Sequence, residues 1–226
     1  MIKINKSPEP AELAAERSKA SGTYRHEAIV SVIKKDFYNR CYLCEDRPQS
    51  INIEHLKPHR NDLGLLFSWE NLFWSCGHCN NIKLAKYDDI IDCVSQDDVE
   101  DVLIYKFDPF PTEDVCIEIA SKYKDSVQAM QTKNLLLDIF NGTTVLKSIE
   151  SNSLRKKIAL DLITMQRMIL DLDDDNKSEE ELRDIRVRII SALSPRSLFA
   201  SFKRCKVRSV PGLVNHLKKY IPELQL

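Results

Sequence analysis

The sequence predicts an α+β fold that is mostly helical, with a small metal-stapled core followed by a C-terminal helical region. Two observations predict it: two short-spaced cysteine pairs occur between residues 41 and 79, and apolar residues repeat at helical spacing through much of the second half. The chain has 226 residues, 30% of them charged, and a net charge of −1. This length allows one domain with an appendage or two small domains. The near-zero charge gives no sign of tight, unaided binding to long nucleic acid.

Three regions are predicted along the chain. Residues 1–23 form an N-terminal arm, either loose or docked, in which Ser-Pro-Glu-Pro precedes a helix-capable run, and we expect this arm to dock a partner. Residues 24–125 form the core domain with a small sheet extension, and residues 126–226 form the helical C-terminal region. Because the sequence contains neither a long apolar run nor a signal-peptide pattern, we expect a cytoplasmic protein.

Apolar periodicity predicts the individual elements. In order, they are a helix over 24–39, strands over 51–54 and 65–69, a helix over 80–91, strands over 102–107 and 115–119, and helices over 127–140, 144–173, 178–193 and 196–221, the last broken near Pro211-Gly212. The first strand alternates apolar and polar residues, as a half-buried strand does. Residues 51–91 therefore predict a β-hairpin followed by a helix, with a metal held between them.

The four paired cysteines predict a zinc site. They form two C-x-x-C pairs: Cys41, Cys44, Cys76 and Cys79. Four thiolates in two such pairs can close a tetrahedral zinc shell, and the ion would supply folding free energy to a small region. A redox function is a weaker alternative, since one pair would be enough for it.

Between and beside these pairs lie residues suited to phosphodiester hydrolysis. Glu54 and His55 are adjacent, so on a strand their side chains point to opposite sides. Glu54 and Asn80 offer hard oxygen ligands for magnesium or manganese. His55, with an ordinary pKa of about 6.5, suits a general base, and the amide of Asn71 could hold the His55 loop in place.

These motifs resemble the HNH endonuclease family, and more narrowly its ββα-metal type with a four-cysteine zinc site. The resemblance rests on E-H-x-x-P (54–58), Asn71-Leu72 and C-x-x-C-N-x-x-K (76–83). It implies that His55 is the general base, Asn71 the loop-fixing residue, and Glu54 and Asn80 the ligands of a catalytic metal. Two departures leave the preferred metal open: the first ligand is commonly aspartate, and the last is often histidine.

A looser resemblance covers the whole chain. The N-terminal run I-x-K-S-P-E-P (4–10), the E-H-x-x-P motif and the helical tail resemble PtuB-type HNH subunits of Septu anti-phage systems, some of which accompany retrons. The resemblance implies an SMC/ABC-type, PtuA-like ATPase as partner, a retron component in some systems, and a nucleic-acid substrate, DNA or RNA. Two alternatives stay open: a catalytically silent zinc-stapled adaptor, and a stand-alone restriction or homing nuclease, which predicts a recognition domain or a more basic chain.

Several other side chains have ordinary structural explanations. They are cysteines expected to be buried as small apolar residues (Cys93, Cys116 and Cys205), aromatic residues expected to pack beneath the zinc site (Trp69, Phe73 and Trp74), and polar residues expected to face solvent (His59, His78, Lys83 and Lys86). The alternatives are a base-stacking role for one aromatic residue, a substrate contact for His59, and phosphate contacts for Lys83 and Lys86. Residues 171–184 carry eight acids, and residues 196–219 carry seven lysines or arginines and no acid. The basic run could bind nucleic acid, pair with the acidic run or dock an acidic partner.

Overall fold

The structure, a computed structural model, describes residues 1–47, 50–110 and 112–226. It confirms an α+β fold that is mostly helical. The helices are α1 (Ala11–Arg17), α2 (Glu27–Asp36), α3 (Leu63–Leu66), α4 (Gly77–Lys83), α5 (Val99–Val102), α6 (Val127–Asn141), α7 (Val145–Leu170), α8 (Glu179–Leu193), α9 (Ala200–Arg208) and α10 (Pro211–Tyr220). The strands are β1 (Ile51–His55), β2 (Leu72–Cys76), β3 (Leu103–Lys106) and β4 (Cys116–Ile119), paired as β1 with β2 and β3 with β4.

The chain divides into two compact units that interleave in sequence. Unit 1 comprises Met1–Leu103 and Ile119–Ile139, and unit 2 comprises Ile104–Glu118 and Phe140–Leu226. Both cysteine pairs and all the residues of the resemblance to HNH endonucleases lie in unit 1. The predicted division at residues 23 and 125 stays a prediction.

Unit 1 is built around an antiparallel hairpin. β1 and β2 pair in a register that places Ile51 opposite Cys76 and His55 opposite Leu72. Helix α2 packs against β2. Its apolar stripe continues to Phe37, the residue that follows the helix, and the Phe37 ring lies 5.5 Å from that of Phe73. Burial of such a stripe supplies most of the stability of a short amphipathic helix. The hairpin is therefore supported by a buried apolar contact with α2.

The N-terminal arm, residues 1–23, packs against the rest of unit 1. The Ile4 amide donates to the Cys93 carbonyl at 2.8 Å, and the Ser7 amide and hydroxyl both donate to the Asp36 carboxylate, at 2.8 and 2.7 Å. The ammonium of Lys6 lies 4.0 Å from the Trp69 ring, and burial lowers its pKa to about 8. Docking of the arm on a partner stays a prediction.

The predicted second strand over 65–69 is wrong. This segment contains the short helix α3, whose first turn is capped by the Asp62 carboxylate through the amides of Gly64 and Leu65, and then a 3-10 turn over Trp69–Asn71. The strand itself is β2, and all five of its residues are buried. Burial on both faces removes the apolar–polar alternation by which a strand is recognised in sequence.

The helix predicted over 80–91 begins earlier and is shorter. The Cys76 sulfur accepts a hydrogen bond from the Cys79 amide and caps the start of α4. The helix ends at Lys83, because Leu84 leaves the helical region with φ of 40° and ψ of −141°. Cysteine is not a usual capping residue, so no residue pattern indicates this start.

Unit 2 contains helices α7 to α10 and most of the β3–β4 pair, and these elements lie close to their predicted positions, except that the helix predicted from residue 196 begins at Ala200. The buried stripe of α7 includes Leu154, Ile158 and Leu162, and the Phe202 ring of α9 lies 5.0 Å from Tyr105 and 5.1 Å from Phe140. The predicted break in the last helix separates α9 from α10, which begins at Pro211. Within the described ranges, no helix combines the length and apolar character that crossing a membrane requires.

Candidate catalytic site and cysteine cluster

The four paired cysteines converge on one buried point. Their sulfur atoms all lie within 4.8 Å of one another, and the sulfurs of Cys44 and Cys76 are 3.8 Å apart. A tetrahedral zinc ion with Zn–S bonds of about 2.3 Å spaces its sulfurs by about 3.8 Å. The four cysteines could therefore bind a metal such as zinc.

The backbone around the cluster fixes both cysteine pairs to the hairpin. The amide of Cys41 donates to the Asp46 carbonyl at 3.0 Å, which closes the first knuckle, and the amide of Tyr42 donates to the Trp74 carbonyl of β2 at 3.0 Å. Cys76 is the last residue of β2 and caps α4, which contains Cys79. A metal at this point would hold the knuckle, β2 and α4 together.

Glu54 lies on the inner side of β1 in a buried ion pair. One oxygen, Oε1, is 2.7 Å from the Lys83 ammonium and accepts the Tyr42 hydroxyl at 3.2 Å. The other, Oε2, is buried without a hydrogen-bond partner among the described residues. Burial raises the pKa of the Glu54 carboxyl, and the charge of Lys83 acts in the opposite direction. An unpartnered buried carboxylate oxygen is costly, so Oε2 is a position that a cation would satisfy.

His55 lies on the other side of β1, half-buried against the following loop. Its Nε2 is 3.0 Å from the Leu66 carbonyl, and its ring lies 4.9 Å from Tyr24 and 4.7 Å from His59. A carbonyl can only accept, so Nε2 carries the hydrogen and Nδ1 keeps its lone pair. Burial lowers the pKa of His55, the hydrogen bond to the Leu66 carbonyl raises it, and the neighbouring His59 and Lys83 lower it further. The net lowering favours the neutral imidazole, in which Nδ1 is the basic nitrogen.

Asn71 clamps the loop that follows His55. Its amide nitrogen donates to the carbonyls of Lys57 and Leu65 at 2.9 and 3.0 Å, and its amide oxygen accepts from the Lys57 amide at 2.7 Å. The side chain is buried, so these bonds replace solvent rather than compete with it. The contacts are of the kind expected from sequence, and the catalytic role of the residue stays a prediction.

Asn80 is half-buried on α4, one helical turn before Lys83. Residues three apart share a helix face, and Lys83 reaches Glu54, so Asn80 lies on the face of α4 that is directed toward β1. Carboxylate and amide oxygens are the ligand types that a hard divalent cation prefers. The Lys83 ammonium already pairs with Glu54 at 2.7 Å and would compete with a cation for the same charge.

Several expectations about individual side chains are wrong. Lys83 is almost fully buried rather than solvated, and Nζ also donates to the His55 carbonyl at 3.0 Å. His78 and His59 are half-buried, and Nε2 of His78 is bonded to the Ile139 carbonyl at 2.9 Å. Cys116 is exposed at the start of β4, whereas Cys93 is buried.

Other expectations are confirmed. Lys86 is exposed and pairs with Asp138 at 2.8 Å. The aromatic residues that precede the second cysteine pair are all buried: Trp69, Phe73 and Trp74.

Two residues that bind Glu54 were missed from sequence. The burial of Lys83 could be inferred from sequence. Cys79 and Asn80 are both expected to face the hairpin, and a residue three or four positions later on a helix shares that face. The contact of Tyr42 could not be inferred, because its hydroxyl reaches Glu54 only through the pairing of the first knuckle with β2.

The basic run of residues 196–219 is partly used inside unit 2. Lys203 is buried and pairs with Asp161 at 2.7 Å, and Arg204 donates to the Leu193 carbonyl at 2.9 Å. His216 lies 3.2 Å from Asp173, which belongs to the acidic run. These contacts give three of its residues structural roles without excluding partners for the exposed ones.

Comparison with known proteins gives no family assignment. No family model matches the chain, and no curated protein matches it. We therefore infer function from the geometry of unit 1 and from the motifs of the sequence.

Proposed function

We propose that this protein is a metal-dependent HNH-type endonuclease that hydrolyses phosphodiester bonds of DNA or RNA. The observation that carries the proposal is the fixed, neutral imidazole of His55. Its Nε2 is engaged by the Leu66 carbonyl, which leaves Nδ1 as a base on the half-exposed side of the hairpin. A histidine in this state can take a proton from an attacking water.

The residues around His55 support the same chemistry. Asn71 holds the loop that carries the Leu66 carbonyl through its bonds to Lys57 and Leu65, so it acts as a positioning residue. Glu54 and Asn80 would hold magnesium or manganese. Such an ion neutralises charge that develops on the scissile phosphate and the leaving oxygen. Glu54 offers its unpartnered Oε2 for this task while Lys83 keeps Oε1 fixed.

The zinc cluster would act as scaffold rather than as catalyst. Four sulfurs close the coordination shell and leave no position for water or substrate. The finer proposal is that the nuclease is the effector of an anti-phage defence system and works with an SMC/ABC-type, PtuA-like ATPase, with a retron component in some systems. The net charge of −1 supports this, because a nuclease brought to its substrate by a partner needs little nucleic-acid affinity of its own.

A second candidate is a catalytically silent zinc-stapled adaptor. The buried Glu54–Lys83 pair favours it, because that pair gives Glu54 a structural role without any metal. The two candidates differ at His55, whose Nδ1 serves no described contact within unit 1.

Cleavage assays separate the two candidates. Purified wild type, His55→Ala and the control His216→Ala are incubated with plasmid DNA and with total tRNA, in magnesium or manganese, with and without a PtuA-like ATPase. We expect wild type and His216→Ala to cut one substrate and His55→Ala to cut at least ~100-fold more slowly, the typical size of a general-base contribution. Equal cutting by all three proteins would contradict the role given to His55, and no cutting of either substrate, with or without the ATPase, would favour the adaptor.

A further inference from the structure

Helix α7 has two apolar faces, and unit 2 covers only one of them. The buried face includes Leu154, Ile158 and Leu162. A second set of apolar residues on the same helix is exposed: Leu146 at 76%, Ile149 at 65%, Leu160 at 66%, Ile163 at 40% and Leu170 at 66%. A helix that needs to bury one face only would carry polar residues on the other.

The exposed residues follow the repeat of a coiled coil. Together with three polar residues of the same face, they form one continuous line along the helix, at alternating spacings of three and four residues. This line is here called the outer stripe, and it consists of Leu146, Ile149, Ser153, Lys156, Leu160, Ile163, Arg167 and Leu170. All eight are exposed. This is the a/d pattern by which two helices pack along a seam. At 1.5 Å per residue the outer stripe is about 36 Å long, enough for a partner helix of six to seven turns.

We propose that the outer stripe is the docking surface for an α-helix of another protein, one with apolar residues at the same spacing and acidic residues facing Lys156 and Arg167. The positive charges of the outer stripe indicate which kind of partner helix would fit it. Neither of these two basic residues makes an ion pair within the described part of the chain, and each interrupts an otherwise apolar seam. A partner that places carboxylates opposite them, 11 residues apart, relieves the cost of burying both charges.

Charge also argues against a second copy of this chain as the occupant. Parallel, in-register pairing of two α7 helices would set Lys156 against Lys156 and Arg167 against Arg167. Antiparallel pairing about the middle of the outer stripe would bring the two Lys156 side chains within about 6 Å along the axis, beside Lys157 of each copy. Like charges opposite each other in a seam disfavour both arrangements. This inference does not depend on the nuclease proposal, since α7 lies wholly in unit 2.

The test uses synthetic amphipathic helices of the length of the outer stripe, in parallel and antiparallel versions. Each carries apolar residues at a/d positions and glutamate facing Lys156 and Arg167, and each matched peptide carries lysine at those two positions. Binding to the full chain is measured by calorimetry or fluorescence anisotropy. We expect one acidic peptide to bind, the lysine peptides not to bind, and Leu160→Glu to weaken binding at least ~10-fold, equivalent to about 1.4 kcal/mol. The variant Lys156→Glu/Arg167→Glu should reverse the preference.

The control is Val187→Glu, which alters an exposed apolar residue on α8, and it should leave binding unchanged. All substituted positions are exposed, so the circular dichroism spectrum and zinc content should match those of wild type. Equal binding of acidic and lysine peptides, or no binding of either, would overturn the proposal. A stable dimer in sedimentation analysis that Leu160→Glu dissociates would identify a second copy as the occupant and would also overturn it.

Discussion

Glu54 and His55 are neighbours on β1, yet their side chains lie in different surroundings. Glu54 is buried against Lys83 and Tyr42, whereas His55 is half-buried against the loop that Asn71 clamps. The alternation of a strand produces this separation. Glu54 is thereby held in an ion pair with Lys83, while Nδ1 of His55 is left as a basic nitrogen outside that pair.

Lys83 is the residue on which the inner side of the site depends most. Replacement by methionine keeps the aliphatic bulk but leaves the Glu54 carboxylate buried without its partner, so we expect a loss of about 3–5 kcal/mol in the free energy of unfolding. Denaturant unfolding of the zinc-loaded protein measures this loss. The double variant Lys83→Met/Glu54→Gln should recover part of it, because the buried charge is then gone.

The matched control for this prediction is Lys86→Met, three residues further along the chain. Lys86 is exposed and pairs with Asp138 at the surface, so its loss should cost less than about 1 kcal/mol. Equal destabilisation by the two substitutions would show that the Glu54–Lys83 pair contributes nothing specific.

Among the elements, the hairpin and α4 depend on the cysteine cluster. β2 ends at Cys76, the same residue caps α4, and the first knuckle is bonded to β2 through Tyr42. These elements are only five to seven residues long, and a structural metal would add folding free energy to them. The catalytic candidates Glu54, His55 and Asn80 lie on the elements so held.

Loss of one ligand should therefore unfold this part of unit 1. We expect Cys44→Ser to lose the bound zinc and to lower the midpoint of thermal unfolding, whereas Cys116→Ser, at an exposed position outside the cluster, should keep one zinc per chain and the midpoint of wild type. Elemental analysis and calorimetric scans give both quantities. Full zinc content in Cys44→Ser would contradict the assignment of this residue as a ligand.

Sequence periodicity predicted those elements that have one buried face. Strand β1 alternates and was found within one residue, and the helices of unit 2 were found because α7 and α8 carry apolar stripes. Strand β2 is buried on both faces and was missed. The start of α4 was missed because its cap is a cysteine, and not a conventional capping residue: the Cys76 sulfur accepts the Cys79 amide.

The candidate site was predictable as a set of residue types but not as a set of contacts. Spacing alone brought the cysteines together, and the motif singled out Glu54, His55, Asn71 and Asn80. Burial of Lys83 depends on how α4 is rotated relative to β1. The sequence feature that indicates this rotation is Cys79, whose sulfur must face the cluster. The Tyr42–Glu54 bond depends on tertiary pairing alone.

At the scale of the whole molecule, each compact unit consists of two separate chain segments. All of α6 except its last two residues belongs to unit 1: the Thr132 hydroxyl accepts from the Ile91 amide at 2.8 Å, and Leu135 and Leu136 are fully buried. A cut before α6 therefore removes part of the core that supports the candidate site.

Two fragments test this interleaving. We expect residues 1–139 to bind zinc and unfold cooperatively, and residues 1–125 to unfold at a lower temperature, because the second fragment lacks the buried residues of α6. Thermal unfolding followed by circular dichroism compares them at equal zinc loading. Equal midpoints would show that unit 1 does not need α6.

We expect the cysteine cluster to act as a scaffold and the residues that it positions on β1 and α4 to carry catalysis. Nucleic-acid cleavage by wild type, Asn80→Ala and Asn81→Ala, compared at equal zinc content while manganese is raised, tests this expectation. Asn80 is half-buried on α4, and its neighbour Asn81 is exposed. Asn81→Ala should cut as wild type does, and Asn80→Ala should cut at least ~10-fold more slowly or need more manganese. Indistinguishable manganese dependence in all three proteins would show that Asn80 does not hold a catalytic metal.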